Sequence, residues 1–93
     1  MNISFTKTDG WYVSEFEATS DFNLHIERPN GTGRIMMYQR TVSSGEFAQV
    51  DAFDEKMIYD PVIDTDCSGV VYPKAIRIVS EVEPKYAEVT FAE

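Results

Sequence analysis

One cysteine, one histidine and one tryptophan are all that this 93-residue chain has of those three residue types. The lone Cys67 cannot close an intramolecular disulfide, so the fold does without the staples of small secreted domains, and a reducing setting is the expectation. With only His25 beside it, a structural zinc tetrad cannot be assembled within one chain. The same scarcity weighs against a hydrolase triad. His25 is the only candidate base, nothing in the sequence joins it to Cys67 or to a serine, and its expected place is the solvent face of a strand. Cys67 has acidic neighbours that raise rather than lower its pKa, which makes it an inert thiol.

Positive charge is also scarce. Eight Lys and Arg stand against sixteen Asp and Glu, for a net charge of -8. Lys7, Arg28, Arg34, Arg40, Lys56, Lys74, Arg77 and Lys85 are scattered along the chain. Without a basic stripe to release counterions from phosphates, nucleic acid is not an expected partner. The excess of acid serves solubility. No apolar run approaches the length that spans a bilayer, and the amino terminus lacks a basic region followed by an apolar one. Neither membrane insertion nor export by a cleaved signal is therefore expected. The starting methionine leans toward a whole gene product.

What is present is an ordinary globular composition, 43% hydrophobic, 13% aromatic and 26% charged, so residues 1–93 are read as one folded domain. The dominant pattern is alternation with period two, interrupted by turn-forming clusters. Phe22, Leu24 and Ile26 alternate with Asn23, His25 and Glu27, a half-buried strand. Pro29-Asn30-Gly31-Thr32-Gly33 then reverses the chain. Arg34 to Val42 places Ile35 and Met37 on one face and Met36, Tyr38 and Arg40 on the other. Apolar groups on both faces suit a central strand or a subunit contact. After Ser43-Ser44-Gly45-Glu46, Phe47 to Phe53 reads as a third strand, making 22–53 a three-stranded antiparallel unit.

Upstream, Asn2 to Thr6 and Trp11 to Ala18 flank Thr8-Asp9-Gly10, a specific hairpin signal. Downstream, Asp51, Asp54, Glu55, Asp60, Asp64 and Asp66 surround the short apolar pieces Met57 to Tyr59 and Val62-Ile63. This reads as a long connection holding an edge strand, since Pro61 cannot donate to a central ladder. Val70 to Tyr72, Ala75 to Val82 and Tyr86 to Ala92 follow, the last two as a hairpin around Glu83-Pro84-Lys85. About seven to eight short strands at this spacing predict an all-β fold, a small antiparallel β-sandwich or jelly roll.

No catalytic residue, cofactor or resident metal is expected. Asp60, Asp64 and Asp66 offer oxygen ligands of the kind calcium takes, but their spacing matches no EF-hand loop, and a solvated acidic loop is the plainer reading. Trp11 and Tyr12 are adjacent and must face opposite ways on a strand. With Tyr38, Tyr59, Tyr72 and Tyr86 they supply aromatic groups suited to a protein interface or a sugar ring.

The segments Gly10-Trp11-Tyr12-Val13-Ser14-Glu15-Phe16 and Phe22-Asn23-Leu24-His25-Ile26-Glu27-Arg28, with the ending Ala75-Ile76-Arg77-Ile78-Val79-Ser80 to Glu83-Pro84, resemble small virion proteins of tailed bacteriophages and prophages. Capsid decoration, head-fibre and tail-associated domains are of this kind. The resemblance implies a non-enzymatic particle component, assembled in the host cytoplasm into a virion as a homo-oligomer or on other virion proteins. It carries over no functional residue. The alternative is a carbohydrate-binding or adhesion module with a glycan partner, assisted by calcium at the 51–66 loop.

Overall fold

Alternating side chains in this chain have two layers to separate, and the computed structural model, which describes residues 1–29, 33–52 and 61–92, shows how they are sorted. The described residues form strands and loops, with no helix. The strands are β1 (Thr6–Thr8), β2 (Trp11–Ala18), β3 (Phe22–Glu27), β4 (Ile35–Arg40), β5 (Ala48–Ala52), β6 (Val62–Cys67), β7 (Lys74–Ser80) and β8 (Tyr86–Phe91). They make a five-stranded sheet of order β1-β2-β7-β4-β5 and a three-stranded sheet of order β6-β3-β8. Every pairing is antiparallel. The fold is the expected all-β sandwich.

Each sheet turns one face to the shared core. Ile76 and Ile78 of β7 and Ile35 and Met37 of β4 meet Phe22, Leu24 and Ile26 of β3, Ile63 of β6, and Ala87 and Val89 of β8. Buried and half-buried residues alternate strictly along β3 and β7, as a pleated strand between two environments requires. Phe16, Phe22 and Phe91 close one end of the core edge to face, with centroids 5.4, 6.2 and 6.3 Å apart. Such pairs add about 0.5–1.5 kcal/mol each beyond the area they bury.

The hairpin signal at Thr8-Asp9-Gly10 is realised in full. Thr8 pairs with Trp11 across a two-residue loop, and Asp9 and Gly10 both have positive φ, 51° and 85°. That is the mirror-image turn whose twist matches the flanking strands, and it is why glycine stands at position 10. The first strand itself differs from expectation. Residues 1–3 border β8 instead, Ile3 donating to the Ala87 carbonyl and Val89 to that of Met1, before the chain crosses to the other sheet at β1.

Other turns reverse the chain without pairing the strands they join. The expected three-stranded unit over 22–53 does not form, because β3 and β4 lie in different sheets and only β4 and β5 pair. The expected final hairpin fails the same way, since β7 pairs with β2 and β4 while β8 pairs with β3. A half-buried strand can satisfy its apolar face equally well on either side of one core, so a reversal in the sequence does not oblige the strands it joins to pair. Val70 to Tyr72 is not a strand. Val70 is 96% exposed in a loop ahead of β7. The edge strand expected around Val62-Ile63 does form, as the outer strand β6, and it reaches Cys67. Met57 to Tyr59 and Phe53 lie outside the described residues.

Candidate functional site

The two outer faces of the sandwich differ sharply in chemistry. On the five-stranded sheet, ladder register places Val13, Val79 and Met36 side by side, with Val79 the shared partner of the other two. Trp11 and Tyr38 share this outward side, and all five are half-buried. The next row is Glu15, Arg77 and Tyr38. Arg77 donates from Nε and Nη2 to Glu15 Oε2 at 3.1 and 3.0 Å, and its guanidinium lies 3.9 Å from the centroid of the Phe47 ring. Arg40 stacks on the same ring at 4.6 Å. Met36 and Tyr38 thus face outward and Met37 inward, as the alternation of β4 predicts. Trp11 and Tyr12 take opposite sides of β2, with the Lys7 ammonium over the Tyr12 ring.

The outer face of the three-stranded sheet is acidic. Its cross-strand rows are Asp66, Asn23 and Thr90, then Asp64, His25 and Glu88, then Val62, Glu27 and Tyr86. His25 is not the free solvent-facing histidine that its strand suggests. Its Nδ1 lies 3.0 Å from Asp64 Oδ2 and its Nε2 lies 2.9 Å from Glu27 Oε2. Both ring nitrogens carry a proton only in the imidazolium form. The hydrogen bonds to Glu27 and then Asp64 therefore raise the His25 pKa above 6.5. The bond from His25, then that from Asn23, lowers the Asp64 carboxyl. Asn23 Nδ2 donates to both Asp64 and Asp66, and Tyr86 packs edge-on to the imidazole while donating to Glu88.

Those contacts correct the acidic-loop reading. Asp64 and Asp66 belong to a strand and are held by β3, and Asp60 lies outside the described residues. No group of three or more His, Cys, Asp or Glu side chains is placed to hold a metal ion among the described residues. Cys67 is half-buried at the end of β6.

At one end of the sandwich, Asp21 Oδ1 accepts from the Tyr72 hydroxyl at 2.5 Å and from the Gly69 amide at 3.1 Å. These bonds lower the Asp21 carboxyl, while the Tyr72 phenol is pushed up to about 12 by the carboxylate it serves. Asp21, Asn23, Asp66, Thr90 and Phe91 line a groove of about 400 Å³ beside them. No helix of the described residues is long and apolar enough to cross a membrane. No family model matches the chain, and neither a curated protein nor a solved structure matches it.

Proposed function

We propose that the protein is a non-enzymatic assembly component that docks onto copies of itself through the outer face of its five-stranded sheet, as a phage or prophage virion protein would. The observation carrying this reading is the continuous row Val13, Val79 and Met36, flanked by Trp11 and Tyr38. Aromatic residues, Met and Arg are the types enriched at the centres of protein interfaces.

Charge selects the same face. In a chain of net charge -8, copies repel one another unless they meet where charge is balanced. The Glu15–Arg77 pair next to the apolar row is internally neutralised. The opposite face presents Asp64, Asp66, Glu27 and Glu88 around one histidine, and like charges across an interface cost several kcal/mol. A two-fold arrangement would lay the apolar row of one copy across that of the other.

The test is the molar mass in solution, by light scattering across a concentration series. The expected wild-type result is a closed oligomer, and Met36→Glu, repeated on each side of a two-fold contact, weakens association by roughly 100-fold while the circular dichroism is unchanged. Val13→Lys serves as a second probe of the same row. A wild-type protein that stays monomeric at millimolar concentration overturns the reading.

A further inference from the structure

We propose, building on the self-association proposed above, that the second copy docks about a two-fold axis parallel to β7, with Glu17 of each copy paired to Arg40 of the other. β7 is the middle strand of the five-stranded sheet, and each of its outward residues has one partner on β2 and one on β4. Three rows result on the outer face. They are Val13, Val79 and Met36, then Glu15, Arg77 and Tyr38, then Glu17, Ala75 and Arg40.

The last row holds two opposite charges that do not meet. Glu17 and Arg40 stand on either side of the small Ala75, and neither has an ion-pair partner within 4.0 Å among the described residues. In the neighbouring row Arg77 and Glu15 satisfy each other. Glu17 is exposed and Arg40 half-buried. Stacking on Phe47, 4.6 Å away, orients the Arg40 guanidinium, and its Nε has no hydrogen-bond partner among the described residues. A held guanidinium fork suits a carboxylate.

A two-fold axis along β7 supplies that carboxylate twice. Such a rotation keeps every row level with itself and exchanges β2 with β4, so Glu17 of one copy faces Arg40 of the other, and the reverse. Val13 then lies over Met36 of the second copy, and Val79 over its own equivalent, apolar on apolar. Glu15 comes opposite the Tyr38 hydroxyl, which within the chain reaches Met36 Sδ at 3.8 Å. Arg77 meets its own equivalent, but each is already neutralised by its Glu15. Face-packed sheets keep their strands aligned to within about 30°, which leaves one other two-fold, across the strands. That axis exchanges the first and last rows and sets Val13 against Glu17 and Met36 against Arg40, burying charge on apolar groups. The pattern of charge thus selects the axis along β7.

The experiment measures the molar mass of the full chain at low salt, by light scattering over a concentration series, for Glu17→Arg, Arg40→Glu and the two combined. Each single variant sets like charges together twice and should associate roughly 100-fold more weakly than wild type. The combined variant should recover, and so should an equal mixture of the two single variants, because one copy then carries both cations and the other both carboxylates. If a charge variant loses its circular dichroism, Val79→Cys in a Cys67→Ser background decides. A residue on the axis meets itself, so a short bismaleimide should join two copies of that variant. A monomeric wild type overturns the self-association and this arrangement with it. A wild type that associates leaves self-association standing, and the axis along β7 is then overturned by any of three results: single variants that associate as wild type does, a mixture that does not recover, or a trimer.

Discussion

The outer faces of the two sheets come from one sequence and cover one core, yet they solve opposite problems. The five-stranded face collects Trp11, Val13, Val79, Met36 and Tyr38 around a neutral Glu15–Arg77 pair. The three-stranded face collects carboxylates around His25. Strand β6, at the edge of its sheet, carries Asp64 and Asp66 outward, and charged side chains on an edge strand discourage pairing with another chain. The difference is that one outer face is apolar around a neutralised ion pair and the other is acidic.

The largest effect should come from what both faces share. Leu24 is wholly buried at the centre of β3, and Leu24→Ala should cost about 2–5 kcal/mol, read from urea denaturation. If the loss were under about 1 kcal/mol, the two sheets would not be packed on a common core. The next contrast is the surface one. Under the proposed assembly Met36→Glu should break association, whereas the same change at Thr90, exposed on the opposite face, should leave the molar mass alone.

A smaller effect sharpens the acidic face. A histidine whose pKa is raised by folding contributes stability that is fully present below its unfolded value of 6.5 and is lost as pH rises through its folded value. The groups facing it are Glu27 on its own strand, Asp64 and Asp66 on β6, and Tyr86 and Glu88 on β8. His25→Gln should remove that fall in stability above pH 6.5, a change of less than about 1 kcal/mol because the cluster is partly solvated. Unfolding curves at pH 6 and pH 9 check it, and an identical drop in the variant would show that His25 is not held as an imidazolium. The smallest effect is spectroscopic. Asp21→Asn should bring the Tyr72 phenol down from about 12 toward 10, seen by ultraviolet titration as one tyrosine ionising earlier, with little change in fold.

Much of the architecture was legible from the residues. The alternation in Phe22 to Glu27 and Ile35 to Arg40 reports which side chains go inward, because a strand has a period of two whatever its neighbours are. Asp9-Gly10 reports its turn because few residue pairs tolerate positive φ twice in succession. The placement of β6 at an edge was readable from Pro61. Pairing partners were not readable, since a turn signal announces reversal but not the sheet in which the chain lands: β3 and β4 lie in different sheets, and so do β7 and β8. The carboxylates at His25 were equally hidden. Asp64 arrives from a strand 39 residues away, and no local signal announces a contact of that separation. Lys74 read as one more scattered cation, and it is buried.

The sequence by itself determined the all-β class, the position of most strands, the alternating faces of β3, β4 and β7 and the excess of negative charge. These follow from local stereochemistry and composition, which act on a few residues at a time. Only the tertiary structure decided that β7 lies between β2 and β4 and β3 between β6 and β8, and with that order came the apolar row and the histidine between its carboxylates. Long-range pairing chose among arrangements that bury the same apolar faces, and the functional surfaces are properties of that choice.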